Sequence, residues 1–104
     1  MLPALRGGAK GPLTLEADGI VIVLDIQSTS EGRVNILGQV AAEDQERWNG
    51  ALVELRGGGE LQFSATTDDL GAFRPEGVMP GSKELRIIPK DSSFIVVANF
   101  EIST

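Results

Sequence analysis

The side chains able to do chemistry in this sequence are almost all carboxylates. Asp68 and Asp69 stand together with Glu76 nearby, and Glu43, Asp44 and Glu46 form a second acidic group. Oxygen ligands grouped in this way suit a hard cation such as calcium. An Asp at the head of a turn also bonds the backbone two residues on, with no metal required. Asp68-Asp69-Leu70-Gly71 has the composition of such a turn. We therefore read the first group as a turn cap and the second as a solvated loop, and expect no metal ligand in either.

The missing residue types narrow the chemistry further. The chain has no His, no Cys and no Tyr, which removes the commonest general base, the thiol nucleophile and the phenolic acid. Carboxylates alone can hydrolyse glycosides, but no spacing here sets two of them across a pocket. The expectation is a non-enzyme with no catalytic residue and no cofactor. Trp48 is the only Trp, and an exposed indole beside polar groups can stack on a sugar ring. A carbohydrate-binding module using Trp48 is therefore the alternative function, against a Trp folded over the end of the domain.

Fifteen acidic against nine basic residues give a net charge of −6 and an isoelectric point near 4.5. The basic residues are scattered, so neither nucleic acid nor an anionic membrane is an expected partner. Met1 to Leu5 is too short for the apolar stretch of a secretory leader, and Ile20 to Leu24 is far too short to span a bilayer. The compartment stays open: cytoplasmic if the chain stands alone, extracytoplasmic if it is a piece of a longer protein.

The elements that must position these groups are strands. At 104 residues the chain supports one core. Residues 1–12 are rich in Gly and carry Pro, which predicts a flexible arm ahead of a single domain over 13–104. Leu13–Ala17, Asp18-Gly19 and Ile20–Ile26 form a hairpin with a type I′ turn. Its inward face carries Leu13, Leu15, Ala17, Ile20, Ile22, Leu24 and Ile26. Arg33–Ala42 is the next strand, interrupted by Gly38, and a mid-strand Gly marks a bulge or a close backbone approach. Ala41 to Trp48 could supply one helical turn. Further strands follow at Ala51–Arg56, Leu61–Thr67 with Leu61, Phe63 and Ala65 inward, around Phe73, Lys83–Pro89, and Phe94–Ile102 with Phe94 and Phe100 inward. Gly57-Gly58-Gly59, Gly71 and Met79-Pro80-Gly81 supply the turns between them. The prediction is an all-β, seven- to eight-stranded sandwich preceded by an N-terminal hairpin.

Gly38-Gln-Val40, Gly50-Ala-Leu-Val-Glu-Leu55, Thr66-Thr-Asp-Asp-Leu-Gly-Ala-Phe73, Val78-Met-Pro-Gly81 and Leu85-Arg-Ile87 occur in that order. Over roughly Val34 to Ile102 the chain resembles the transthyretin-like (prealbumin-like), carboxypeptidase regulatory-like family of β-sandwich domains. The resemblance implies a Greek-key sandwich. Lys83-Glu84 departs from it, standing where an aromatic residue commonly follows Pro-Gly. The enzymes of this broad fold rely on His and Tyr, and this chain has neither. More narrowly, the N-terminal hairpin leading into Leu37-Gly-Gln-Val40 is similar to domains associated with bacterial anti-sigma-factor-like proteins, which implies an accessory role linked to sigma-factor regulation.

Alternation also makes a prediction about partners. Burying Ile20, Ile22, Leu24 and Ile26 turns Val21 and Val23 outward, and burying Val96 and Ala98 does the same to Ile95 and Val97. Ordinary outward positions elsewhere are polar, as Glu54, Arg56, Gln62, Ser64, Glu84 and Arg86 show. Val21, Val23, Ile95 and Val97 are thus expected to form one shared apolar patch that binds a protein or a neighbouring domain. A homodimer is the favoured form of that contact.

Overall fold

Ile20 to Ile26 alternates under two constraints at once, β-branched stiffness and a buried face, and it becomes the central strand of the first sheet. The computed structural model describes residues 12–17, 19–29, 31–91, 93 and 95–102. The first sheet contains β1 (Pro12–Ala17), β2 (Ile20–Ser28), β3 (Val34–Ala41) and the short β6 (Ala72–Phe73), in the order β1-β2-β3-β6. The second contains β4 (Leu52–Gly57), β5 (Glu60–Thr66), β7 (Gly81–Ile88) and β8 (Val96–Ile102), in the order β5-β4-β7-β8. Every strand pairing is antiparallel. The protein is all-β, with two four-stranded sheets enclosing one apolar core in a sandwich architecture.

The expected hairpin register is the observed one. Leu13 stands opposite Leu24, Leu15 opposite Ile22 and Ala17 opposite Ile20. Pro12, part of the expected arm, is instead the first residue of β1 and pairs with Asp25. Asp18, on which the type I′ assignment rests, and Phe94 lie outside the described residues, as does the arm over 1–11. Across the sandwich, Ile22, Leu24, Val34, Val40, Val53, Leu55, Leu85, Ile87, Val96 and Ile102 are almost fully enclosed.

One inward assignment fails. Leu61, inward by alternation, is 49% exposed. Leu55 pairs with Phe63, but Arg56 pairs with Leu61, so Gln62 is an extra residue in β5. Such a bulge moves every residue beyond it to the opposite face. Phe63 and Ala65, before the slip, remain half-buried against the core. Beyond it, Leu61 shares the outer face with Arg56.

The connection after β3 carries a single 3₁₀ turn, Gln45–Trp48, and Trp48 enters the core with 2% exposure. Thr67 holds this loop in place. Its hydroxyl donates to the Trp48 carbonyl at 2.6 Å and accepts from the Ala51 N–H at 3.0 Å. The segment after β6 then runs along the edge of β3. Ile36 N–H donates to the Pro75 carbonyl, and Val34 and Val78 exchange both of their backbone bonds.

Candidate interaction surface

Glu-Leu-Arg occurs twice in this chain, at 54–56 on β4 and at 84–86 on β7. The two strands pair antiparallel with Leu55 opposite Leu85, so Glu54 stands opposite Arg86 and Arg56 opposite Glu84. Both leucines point into the core, and all four charges point out. Within each strand the charges also pair. Arg56 Nη2 lies 3.4 Å from Glu54 Oε1, and Arg86 Nε lies 2.8 Å from Glu84 Oε1. The result is a neutral square of alternating sign at the centre of the outer face of the second sheet. Each charge has an opposite one beside it both along the strand and across it.

One row beyond the square the same face turns apolar. Leu52 stands opposite Ile88, and both are half-buried. Val97 pairs with Arg86 on the edge strand β8 and is 42% exposed. Continuing the β7–β8 register one step past Ile87 and Val96 brings Ile95, 50% exposed, beside Ile88. Leu52, Ile88, Ile95 and Val97 therefore form one band next to the square. Among the described residues no further layer is stacked on this face.

This arrangement corrects the expected patch. Val21 and Val23 lie on β2 in the first sheet, whereas Ile95 and Val97 belong to the second, so the two pairs sit on different outer faces of the sandwich. Alternation sets which residues point outward, but not which sheet carries the strand. On the first sheet Val23 has Thr14 and Gln39 as its cross-strand neighbours, and Val21 has Glu16 and Ala41. Thr14, Glu16 and Gln39 break up the apolar area there. On the second sheet Ile95 and Val97 are joined by Leu52 and Ile88, two residues absent from the expected patch.

Trp48 is also corrected as an exposed platform. With its ring enclosed in the core it offers no face to a sugar, and the Thr67 hydroxyl holds its backbone carbonyl. The acidic groups behave as turn and loop residues. Asp68 Oδ1 accepts from the N–H groups of Leu70 and Ala72, both at 2.9 Å. Those backbone bonds, led by Ala72, hold its carboxyl below the ordinary Asp range. No cluster of three metal-ligating side chains occurs among the described residues.

At the hairpin end of the square lies an open groove of about 650 Å³, lined by Arg56, the glycines 57–59, Lys83, Asn99 and Phe100. Lys83 is not among the residues expected in the core. It follows the alternation of Leu85 and Ile87 and faces inward with 4% exposure. Its ammonium has no ion-pair partner among the described residues. Burial pulls its pKa down from the ordinary lysine value. Gly57 makes the room, since a β-carbon there would stand 2.7 Å from Lys83 Nζ. The signal was available in principle, because Lys83 keeps the inward parity of its strand.

No family model matches the chain, and neither a curated protein nor a solved structure matches it.

Proposed function

We propose that this chain is a non-catalytic β-sandwich module that recognises a protein through the outer face of its second sheet. The observation that carries the reading is the band of Leu52, Ile88, Ile95 and Val97 beside the charge square. Covering the exposed parts of Ile95 and Val97 contributes on the order of 1 kcal/mol each. The ordered charges beside them supply register and partner choice more than affinity.

The order of motifs from Gly38 to Ile87 supports a Greek-key domain of the transthyretin-like, carboxypeptidase regulatory-like kind. An accessory role beside a sigma-factor regulator rests on the weaker similarity of the N-terminal hairpin. The competing carbohydrate-binding role loses its main support with Trp48 enclosed.

The test is a photo-crosslinking side chain placed at position 97 and, separately, at position 23, in the full chain expressed in its source cells. The expected result is a protein adduct at 97 and none at 23. Equal adducts at both sites, or none at 97, would overturn the reading.

A further inference from the structure

We propose that the occupant of this face is a second copy of the same chain, stacked sheet on sheet about a two-fold axis. The axis runs roughly along the strands, midway between β4 and β7. The proposal rests on reading this face as a protein-recognition surface, and it adds the identity of the partner.

A two-fold axis lying in an interface makes the same patch face itself, so the patch must be complementary to its own reflection across the axis. An axis along the strands between β4 and β7 exchanges those strands and keeps the rows. Glu54 then faces Arg86 of the second copy, and Arg56 faces Glu84, because those residues are cross-strand neighbours. In the next row Leu52 faces Ile88 of the second copy, apolar on apolar. On the flanks Val97 faces Ser64, and Ile95 faces Thr66, which share those rows through β4 and β5.

The alternatives fail on the same pattern. An axis across the strands, between the two charged rows, also matches opposite charges. It lays the Leu52–Ile88 row over the hairpin end, where Gly58 and Ser82 stand, so the apolar band meets polar backbone. An axis along a diagonal of the square sets Glu on Glu or Arg on Arg, which is repulsive. Of these axes, the one along the strands matches opposite charges and also lays Leu52 on Ile88. Each chain carries −6, but the square is neutral, so the central contact adds no repulsion of its own.

The experiment is sedimentation of the full chain from low to high micromolar concentration, for wild type, Glu54→Arg, Arg86→Glu, the double exchange, and Val97→Ser. Circular dichroism on each sample confirms folding. The wild type is expected to dimerise. Each single reversal should weaken the dimer by about tenfold or more, since it sets like charges together in the contact. The double exchange restores opposite charges under the axis along the strands, and should return affinity to within about threefold of wild type. Under the axis across the strands the same double exchange sets like charges against each other, position 54 on 56 and position 84 on 86, and affinity stays low. Val97→Ser leaves the square intact and should still weaken the dimer, which separates the interface from damage to the square itself.

A wild type that stays monomeric at high micromolar concentration overturns the second-copy proposal. If the position-97 crosslinker then captures a different protein, the recognition surface stands without it. If it captures nothing, both fall. A dimer insensitive to the single reversals, or not restored by the double exchange, overturns this axis.

Discussion

The ring of Phe73 lies directly on the α-carbon of Gly38. The two residues pair across β3 and β6, and a β-carbon on Gly38 would stand 2.4 Å from Phe73 Cζ and 2.5 Å from Cε2. Gly38 is a close-approach glycine and not a turn glycine, because its φ is not in the left-handed region. The contact sets how near the two-residue β6 can come to β3.

Gly38→Ala therefore has to push Phe73 out of a closed core. Phe73 is 4% exposed and has little free space to move into. Overpacking of this kind costs about 1–3 kcal/mol, and the clash here argues for the upper end. The expected outcome is a lower midpoint in chemical denaturation with an unchanged slope. Gly38→Ala combined with Phe73→Leu should recover part of the loss, since the two residues share one contact.

The turn from Asp68 to Gly71 makes a second prediction. Gly71 has φ +78°, and a β-carbon there would meet the Val40 carbonyl and Gln45 Nε2, each at 2.7 Å. Gly71→Ala adds backbone strain to a clash, and should cost about 2–3 kcal/mol. Asp68→Ala removes the acceptor for Leu70 and Ala72, and should lower the denaturation midpoint by less than Gly71→Ala does. The Asp68 pKa is lowered in the folded protein, so its contribution is present above the unfolded value of 3.8 and is lost as pH falls through the lower folded value. The stability difference between wild type and Asp68→Asn should accordingly shrink in acid denaturation below about pH 4.

Much of the fold was legible because alternation is a local signal. Ile20 to Ile26 states its own buried face, Gly71 its own turn, and Gly38 either a bulge or a close approach, of which the structure has the second. Phe73 as the approaching group was not legible, since only the pairing of β3 with β6 brings it there. Leu61 was misplaced because a one-residue bulge leaves no mark in a run of alternating residues. The shared patch of Val21, Val23, Ile95 and Val97 failed for a related reason: facing outward is local information, while sharing a sheet is not. The repeated Glu-Leu-Arg was in plain view. Its meaning depended on antiparallel pairing between segments thirty residues apart, with Leu55 opposite Leu85.

Thr67 supplies a third prediction. Its hydroxyl is the partner of a buried N–H at Ala51 and of the Trp48 carbonyl. Thr67→Val keeps the shape and removes both bonds, leaving two buried backbone groups without this partner. The expected loss is about 2–3 kcal/mol, and Thr67→Ser should retain most of the wild-type stability. Trp48 is the only Trp in the chain, so its fluorescence reports on the loop directly. The Val variant should shift emission to longer wavelength before global unfolding, and the Ser variant should not.

Lys83 yields the last prediction, and it concerns alkaline pH. The ammonium sits inward over Gly57 with no ion-pair partner among the described residues, and burial lowers its pKa from 10.5. Between the lowered folded value and 10.5 the unfolded chain holds the proton more often than the folded one. Linkage then requires stability to rise with pH across that interval, and to lose this dependence below the folded value, where both states are charged. The chain has no Tyr, Cys or His, so no phenol, thiol or imidazole adds to this dependence. Lys83→Met keeps the length of the stem and removes the charge. It should be more stable than wild type at pH 7, because a partly desolvated charge with no ion-pair partner among the described residues is replaced by an apolar side chain. The advantage should narrow as pH climbs toward 10.5. Denaturant midpoints measured for both proteins from neutral to alkaline pH give the answer: a Met variant that is less stable at pH 7, or an advantage that widens with pH, would show that the ammonium has a stabilising partner.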